Sequence, residues 1–347
     1  MKEVSIAVVG ATGAVGSEFL KIMQERKFPA GEIKLLASSR SAGVKLEVNG
    51  RKLTVQETTA ESFAGVQIAF ISVSSEVSRR LVPEARKAGA VVIDDSSAFR
   101  MSPDVKLVVP EVNGSDLDSH TGVISIPNCS TTPLVMALAP LGRLAKVRRV
   151  VADTYQSVSG TGAAAMTELR DQARSVLDEK KAERKVYPHQ IAFNVFPQVE
   201  RFLDNGYTTE EWKLLEESRK ILHWPDLLVS ATCVRVPVYI SHCVSAHVEF
   251  DRPVSPQEAR QALAAMPGVK VLDDPSQNQY PTPWNVTGTD DVYVGRIRKD
   301  ASHPNGLAMW IALDNLRKGA ALNAIQIAEE LLKRNLLPER KVLQQAD

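Results

Sequence analysis

The first part of the chain, residues 4–23, constrains the fold most. The apolar run 4–9 leads directly into the glycine-rich turn 10–16, GATGAVG, and helix-forming residues follow over 17–23. Glycines in such a turn let the backbone bend tightly, approach an anion closely and pack a helix onto a strand. The spacing GxxGxxG alone is a weak signal. Its position between a predicted strand and a predicted helix favours a Rossmann-type unit that binds a dinucleotide.

The end of the second predicted strand, residues 33–37, indicates which dinucleotide is bound. It runs into Ser38-Ser39-Arg40-Ser41 and carries no Asp or Glu at its tip. A carboxylate there would bind the ribose 2′-hydroxyl of NAD, whereas hydroxyls beside a guanidinium suit the 2′-phosphate of NADP. The alternative is a polar loop with an incidental arginine. We therefore predict NADP(H), and the residues expected to contact it in these two loops are Gly10, Thr12, Gly13, Ala14, Val15, Ser38, Arg40 and Ser41.

The hydrophobic pattern changes near residue 129. Before it, continuous apolar runs at 68–73, 90–94, 107–109 and 123–126 alternate with helical stretches such as 77–88. Such alternation is typical of a parallel sheet covered on both faces. After it, residues 232–250 read as a long strand of period two beside the charged helical segment 210–221, which predicts an α+β domain with a largely antiparallel sheet. Residues 315–335 are predicted to be helical again.

Composition excludes several functions. A net charge of +1 over 347 residues gives no electrostatic reason to expect nucleic acid or an anionic membrane as partner. The chain has no run of 18 apolar residues, and its N-terminus leads straight into the first strand, so we expect neither a membrane span nor a signal peptide. The three cysteines, Cys129, Cys233 and Cys243, do not form a disulfide framework, which fits a reducing, cytoplasmic setting.

Cys129 is the candidate nucleophile. It follows the apolar run 123–126 and precedes a predicted helix over 133–144. Backbone N–H groups at a helix start favour a thiolate over a thiol. A lone cysteine is more often a small buried apolar residue. The dinucleotide-binding pattern near the N-terminus favours the interpretation of Cys129 as a nucleophile.

Several segments together resemble the aspartate-β-semialdehyde dehydrogenase family. They are residues 10–16, 95–100 (DSSAFR), 127–131 (PNCST), 155–160 (YQSVSG), 210–213 (EEWK) and 234–237 (VRVP), followed by His242. They occur in the family's order and span essentially the whole chain. The resemblance implies an α/β fold in which residues 1–128 and 316–347 form a Rossmann-type NADP-binding domain and residues 129–315 an inserted α+β catalytic and dimerisation domain.

The resemblance also implies an activity. This is the NADPH-dependent, reversible reduction of β-aspartyl phosphate to aspartate semialdehyde with release of inorganic phosphate, a step in lysine, threonine and methionine biosynthesis. A homodimer or homotetramer is expected. Cys129 would attack the acyl phosphate and form a thioester that accepts hydride. His242 would act as general acid/base, because an imidazole with an ordinary pKa both takes and returns a proton near neutral pH.

Other residues are expected to bind the substrate and the nicotinamide side of the cofactor. Arg235 can clamp an α-carboxylate and Glu210 can accept from a free α-ammonium, which together describe an unmodified amino acid. The remaining candidates are Gln156 as the catalytic residue that orients the substrate, Arg100 and Lys213 for the phosphoryl group, Asn128 for the oxyanion or phosphate, and Ser159, Gly160 and Asn315 for the cofactor. For Arg100 a surface salt bridge is the alternative, and for His242 a structural role.

One geometric difficulty and two departures accompany these predictions. Arg235 and His242 lie seven positions apart, so a regular strand would point them to opposite faces unless a bend intervenes, for which Pro237 is the natural place. Family members commonly have a small and then an acidic residue after the histidine, whereas this chain has Cys243-Val244-Ser245. Asn315 stands where some members have glutamine.

Three alternatives remain open. An N-acetyl-γ-glutamyl-phosphate reductase would have glycine before the cysteine, and its acetylated substrate would offer Glu210 no cation. A non-catalytic NADP-binding paralogue would typically have lost the thiol or the histidine. A metal-dependent hydrolase is disfavoured because Cys233, His242, Cys243 and His247 fit no closed zinc pattern, so no metal is expected.

Overall fold

The structure is a computed structural model that describes residues 3–338. The strands are β1 (Val4–Val9), β2 (Ala30–Ala37), β3 (Lys45–Val48), β4 (Arg51–Thr54), β5 (Gln56–Glu57), β6 (Ile68–Ile71), β7 (Val91–Asp94), β8 (Lys106–Leu107), β9 (Val123–Ser125), β10 (Val147–Gln156), β11 (Leu228–Arg235), β12 (His242–Phe250), β13 (Val269–Val271), β14 (Val292–Lys299) and β15 (Gly306–Leu313). The helices are α1 (Ala14–Glu25), α2 (Ser75–Lys87), α3 (Pro110–Asn113), α4 (Thr131–Gly142), α5 (Ala163–Leu177), α6 (Thr209–Leu222), α7 (Pro256–Ala264), α8 (Pro283–Val286) and α9 (Leu322–Lys333).

The chain divides into two compact units. The first comprises Met1–Pro110, Gly114–Ile126 and Ala324–Asp347, and the second comprises Glu111–Asn113 and Pro127–Asn323. The chain returns to the first unit at residue 324, eight residues later than the boundary expected from the sequence. No helix within residues 3–338 is both long and apolar enough to cross a membrane.

The first unit is built on a sheet with the strand order β5-β2-β1-β6-β7-β9-β8, in which every pairing is parallel. Strands β1, β6 and β7 are buried along their whole length, as their continuous apolar sequences predict. Helix α9 is joined to the segment after α1 by a two-pronged contact between Arg26 and Glu329, at 2.8 and 2.7 Å. The predicted Rossmann-type parallel sheet is confirmed.

The turn between β1 and α1 requires its glycines. Gly10 has φ +85°, and a Cβ atom there would lie 2.2 Å from the carbonyl oxygen of Ser72. A Cβ atom on Gly16 would lie 2.2 Å from the carbonyl oxygen of Gly10. No side chain fits at these distances, so the two glycines allow α1 to begin directly against β1.

The second unit contains a mixed sheet with the order β11-β10-β12-β15-β14-β13. The pairs β10–β12, β12–β15 and β14–β15 are antiparallel, whereas β10–β11 and β13–β14 are parallel. Helix α4 packs against α6, α7 and β15, and its side chains are buried almost throughout, as its apolar sequence predicts. It begins at Thr131, two residues earlier than expected.

The prediction of one long strand over residues 232–250 is wrong. β11 ends at Arg235 and β12 begins at His242, and the two strands pair with opposite edges of β10. The alternation of apolar and polar residues does not reveal this break, because the alternation continues through the segment that connects the two strands. The predicted bend is confirmed: the segment contains Pro237, and its residue Val236 donates to the carbonyl of Gln156 over 3.0 Å. The predicted C-terminal helix is also divided, into a π-helical turn, Arg317–Ala321, and α9.

Candidate active site

A cavity of about 410 Å³ in the second unit brings together the majority of the residues predicted to act in catalysis or substrate binding. We call it the site cavity. It is lined by Asn128, Cys129, Gln156, Gly160, Thr161, Tyr187, Pro188, Phe196, Gln198, Val199, Glu200, Glu210 and Arg235. A half-buried thiol, a guanidinium and a carboxylate therefore line one cavity.

Cys129 lies two residues before α4. The carbonyl of Asn128 accepts from the backbone N–H groups of Thr131 and Thr132, each over 3.0 Å, and these bonds close the first turn of the helix around the cysteine. The side-chain oxygen of Asn128 accepts from the N–H of Ser130 at 2.8 Å. The predicted position of Cys129 at a helix start is confirmed. Both the backbone carbonyl and the side chain of Asn128 therefore hold the loop that carries Cys129.

Gly319 packs directly against Cys129. It lies in the π-helical turn Arg317–Ala321, and a Cβ atom at this position would approach Cys129 Cβ to 3.1 Å. Sequence reasoning missed this residue. An isolated glycine in a predicted helix was the available signal, because such a glycine usually has a packing reason.

Helix α6 presents two carboxylates to the nucleophile loop. The helix begins with a reciprocal cap in which Thr208 and Glu211 each bond the backbone N–H of the other. Glu210 and Glu217 are seven residues apart, so they lie on one face. Glu210 Oε1 accepts from Asn128 Nδ2 at 2.9 Å, and Glu217 Oε2 accepts from the backbone N–H of Asn128 at 2.7 Å. Sequence reasoning missed Glu217, for which the sequence carries no signal.

Glu210 is ionised at neutral pH despite its burial. Burial alone would raise its pKa, but the ammonium of Lys213 and the amides of Gln156 and Asn128 outweigh that effect and lower the pKa to about 2. Lys213 Nζ lies 3.1 Å from Glu210 Oε2 and 2.5 Å from Glu200 Oε1. The predicted phosphate contact Lys213 is thus held between two carboxylates.

Gln156 and Arg235 are register partners at the ends of β10 and β11. Neighbouring positions in register point to the same face of a sheet, which brings both side chains to the site cavity. Arg235 is 5% exposed, and its Nη1 donates to the carbonyl of Ser157 at 2.6 Å. Its Nε is buried and has no hydrogen-bond partner within residues 3–338, so this N–H is available to a bound anion.

His242 is fully buried and is the first residue of β12. Its Nδ1 lies 3.0 Å from the backbone nitrogen of Ser157. Because a backbone N–H can only donate, Nδ1 is the acceptor and the neutral ring carries its proton on Nε2. Nε2 is buried and has no partner among the described residues, and a Cβ atom on Gly160 would lie 3.1 Å from it.

The pKa of His242 departs from the ordinary imidazole value. Burial, and after it the positive charge of Arg235, lower the pKa of His242 from 6.5 to about 3, although the carboxylate of Glu210 opposes the shift. The ring is therefore neutral at neutral pH in the substrate-free site. The general acid/base role of His242 stays a prediction, and in the substrate-free site the ring starts from a lowered pKa.

Asn315 and Ser159, predicted to contact the cofactor, lie behind His242 in one hydrogen-bonded group. Asn315 Oδ1 accepts from the hydroxyls of Ser157 and Ser159 at 3.2 and 3.0 Å, and from the N–H of Ser241 at 2.8 Å. The hydroxyl of Ser157 also lies 3.0 Å from His242 Nδ1. Ser157 thus links Asn315 to the imidazole, a role that sequence reasoning missed.

Tyr187 forms part of the cavity wall. The guanidinium carbon of Arg235 lies 5.9 Å from its ring centroid, and its hydroxyl donates to Thr161 Oγ1 at 2.9 Å. Its loop is held by the carboxylate of Glu168, which accepts from the backbone N–H groups of Lys185, Val186 and Tyr187. No pattern in the sequence marks Tyr187 as a residue of the site.

The remaining candidates lie in the first unit. The first hydrogen bond of α1 runs from the N–H of Ser17 to the carbonyl of Gly13 at 2.9 Å, so the preceding N–H groups of Ala14 and Val15 have no earlier helical carbonyl to bond. Thr12 and Ser41 touch through their hydroxyls at 3.3 Å. Arg40 is exposed and forms no ion pair within residues 3–338. These groups fit a dinucleotide: N–H donors at a helix start for the pyrophosphate and a free guanidinium for a 2′-phosphate.

Arg100, the other predicted phosphate contact, also belongs to the first unit. It is buried, and its Nη2 donates to the carbonyl of Asp95 at 2.7 Å. Burial raises the pKa of Asp95, and the charge of Arg100 opposes that shift. The role of Arg100 in phosphate binding stays a prediction.

A dinucleotide-binding unit in the same chain as a thiol beside buried ionic groups is typical of an NAD(P)-dependent dehydrogenase. Two family models agree: semialdehyde dehydrogenase, NAD binding domain, matches residues 5–120, and semialdehyde dehydrogenase, dimerisation domain, matches residues 138–318. The chain is therefore of the semialdehyde dehydrogenase class.

Comparison with individual relatives shows which family within this class the chain belongs to. The chain is 48% identical over 340 residues to an aspartate-semialdehyde dehydrogenase of Bacillus subtilis, covering 96% of this chain and 98% of the relative. A crystal structure of aspartate semialdehyde dehydrogenase II from Vibrio cholerae complexed with ASA superposes with a TM-score of 0.93 at 41% identity, covering 96% and 99% of the two chains. One from Candida albicans with NADP has a TM-score of 0.77 at 27% identity, covering 96% and 100%. The chain belongs to the aspartate-semialdehyde dehydrogenase family.

Proposed function

We propose that this enzyme catalyses the reversible, NADPH-dependent reduction of β-aspartyl phosphate to L-aspartate 4-semialdehyde with release of phosphate. The observation that carries the proposal is the site cavity, where the Cys129 thiol lies beside the buried guanidinium of Arg235 and the ionised carboxylate of Glu210. One positive and one negative group in an enclosed space complement the carboxylate and ammonium of a free amino acid.

Substrate recognition follows from this charge pattern. Arg235 offers an unpartnered buried Nε–H to the α-carboxylate, and Glu210 accepts from the α-ammonium. An N-acetylated substrate has no ammonium, so it would leave the buried carboxylate of Glu210 with one partner fewer. This argument favours an aspartyl substrate over the substrate of an N-acetyl-γ-glutamyl-phosphate reductase.

The chemistry centres on Cys129. Its sulfur, as the thiolate, attacks the acyl carbon of the mixed carboxylic–phosphoric anhydride. The C–S bond forms, and the C–O bond to phosphate breaks with its electron pair leaving on phosphate. When bound, NADPH supplies the hydride that reduces the resulting thioester. Collapse of the reduced centre breaks the C–S bond, returns its electron pair to sulfur and releases the aldehyde. Arg100 and Lys213 are proposed to bind the phosphoryl group.

His242 is proposed to act first as a donor. The contact with Ser157 selects the tautomer that is protonated on Nε2. The Nε2–H group can then stabilise the substrate oxygen that becomes negative. Burial and, after it, the positive charge of Arg235 lower the pKa of His242, and a substrate carboxylate on Arg235 would offset the second of these causes. Substrate binding should therefore raise that pKa and make the ring a better proton acceptor during turnover.

The cofactor proposal rests on the first unit for the pyrophosphate and the 2′-phosphate. Gly10, Gly13 and the following N–H groups would cradle the pyrophosphate, and Arg40 with Ser38 and Ser41 would bind the 2′-phosphate. Ser159, Gly160 and Asn315 are proposed to contact the nicotinamide side. We also propose a homodimer, since the chain matches a dimerisation-domain model, and a cytoplasmic location, where the reactive thiol stays reduced.

One assay tests the activity. Purified enzyme receives aspartate semialdehyde, inorganic phosphate and NADP⁺, and formation of NADPH is followed by its absorbance. We expect turnover that depends on phosphate, is lost in Cys129→Ser, and is far slower with N-acetylglutamate semialdehyde. Equal efficiency with the acetylated aldehyde, or turnover without phosphate, would contradict the proposed function.

A further inference from the structure

Thr154 contacts Gln156, a residue of the site cavity. The two residues are two positions apart on β10, so their side chains point to the same face, and they are 0% and 1% exposed. Thr154 Oγ1 donates to Gln156 Oε1 at 2.9 Å. Gln156 lines the site cavity and Thr154 does not. Thr154 therefore does not line the space for a substrate, but its hydroxyl bonds a residue that does.

The carboxamide of Gln156 can adopt two orientations of nearly the same shape, because its oxygen and its NH₂ group have similar size. In the observed orientation, Nε2 donates to Glu210 Oε1 at 2.9 Å. The reverse orientation would place the amide oxygen against an ionised carboxylate, where both atoms are acceptors. Glu210 therefore selects the orientation, and the hydroxyl of Thr154 restrains the amide from its opposite end by donating to Oε1.

The environment of Thr154 favours donation from its hydroxyl to Gln156. Its register partner on β11 is Cys233, whose buried thiol faces the same hydroxyl. Burial raises the pKa of Cys233, so the sulfur remains an S–H group and not a thiolate that would attract the Thr154 proton. The one hydroxyl proton of Thr154 is therefore free to serve Gln156 Oε1.

We propose that Thr154 is a positioning residue for the reaction: its hydroxyl holds the Gln156 carboxamide with Nε2 toward Glu210 and the site cavity. The second N–H of Nε2 then donates to the bound substrate. This inference rests on the proposed function only in assigning the substrate. The orientation of the amide is a property of the protein itself.

The kinetic test uses three single variants. Thr154→Val removes the hydroxyl and keeps the branched shape, and we expect kcat/KM to fall roughly three- to tenfold, the loss of one buried hydrogen bond. Thr154→Ser should restore the rate to within about twofold. Thr232→Val, on the exposed side of β11, makes the same chemical change away from Gln156 and should match the unmutated enzyme.

A double variant separates positioning from a merely structural role. In a Gln156→Ala background, Thr154→Val should cause no further loss, because the two changes act through one group. An equal fractional loss in both backgrounds, or no loss in Thr154→Val itself, would overturn the proposal.

A spectroscopic measurement tests the position of the Gln156 amide without an activity assay. In enzyme labelled with ¹⁵N-glutamine, the Gln156 side-chain NH₂ should be protected from solvent exchange in the unmutated enzyme and in Thr154→Ser, and measurably less protected in Thr154→Val. Unchanged protection in Thr154→Val would refute the proposal. Absent turnover of aspartate semialdehyde by the unmutated enzyme would refute only the proposed function.

Discussion

The backbone N–H of Ser157 donates to Nδ1 of His242 over 3.0 Å, and this contact assigns the proton of the neutral imidazole to Nε2. Ser157 follows β10 and His242 begins β12, so strand pairing sets the tautomer. The histidine can then act as a hydrogen-bond donor without ionising. Its burial, together with the charge of Arg235, makes the ionised form costly in the substrate-free enzyme.

This cost predicts how stability depends on pH. The pKa of His242 is about 3 in the folded chain and 6.5 as the ordinary value, so between these values the unfolded chain binds a proton that the folded chain does not. Stability must therefore fall as pH decreases through this window. From about pH 7 to about pH 5, we expect His242 to account for a loss of roughly 2 kcal/mol in the free energy of unfolding.

Urea unfolding of the unmutated enzyme and of His242→Asn at both pH values measures this loss. The asparagine variant should show the smaller change. His189→Asn, which replaces an exposed ring, is the matched control and should leave the pH dependence as it is. Glu210 adds a similar dependence only at lower pH, because its pKa falls from 4.5 to about 2. If the free energy of unfolding changed equally with pH in the unmutated enzyme and in His242→Asn, the lowered pKa of His242 would be contradicted.

Cys129 should carry a covalent aspartyl group during the reaction. Mixing the enzyme with β-aspartyl phosphate in the absence of NADPH should give an added aspartyl mass, because the thioester then accumulates. Intact-protein mass spectrometry reads the adduct directly. Cys129→Ser should show none, whereas Cys243→Ser, which changes a buried thiol, should still form it. An adduct on the Cys129→Ser enzyme would rule out this nucleophile.

Gly319→Ala should impair the enzyme through Cys129. The added methyl group would lie 3.1 Å from Cys129 Cβ, closer than ordinary contact, so either the nucleophile or the π-helical turn must shift, and we expect the nucleophile to do so. We expect kcat to fall about tenfold or more, since small displacements of a reacting group are costly. Gly114→Ala, at a glycine with open space around its Cβ position and no positive φ, is the control. Steady-state kinetics and alkylation of Cys129 give the comparison, and unchanged rates in Gly319→Ala would mean that the turn adjusts instead.

Arg40→Ala should weaken NADPH binding by roughly ten- to a hundredfold, because a charge-assisted hydrogen bond to the 2′-phosphate is lost. NADH, which lacks that phosphate, should bind both forms equally. Arg51→Ala removes another exposed arginine of the same unit and should have no effect. Fluorescence titration with both dinucleotides measures the affinities. A parallel loss for NADH would place Arg40 elsewhere in the binding site or in the fold.

The sequence alone determined the elements of the first unit and indicated the kind of chemistry. Continuous apolar strands, the glycine turn at residues 10–16 and the cysteine before a helix are local patterns, and local patterns follow from backbone sterics and hydrophobic periodicity. Together with the ordered family motifs, they were sufficient to predict a Rossmann-type unit and a dehydrogenase that acts through Cys129.

Only the tertiary structure decided how the site residues are supported and charged. Glu217 reaches Asn128 across 89 positions of sequence, and Ser157 reaches His242 across 85. The single strand predicted over residues 232–250 became two because period-two alternation is the same in a strand and in a short extended loop. The pKa of His242 depends on burial and on Arg235, which are properties of packing. No local pattern encodes them, because the groups that set them are brought together by the fold.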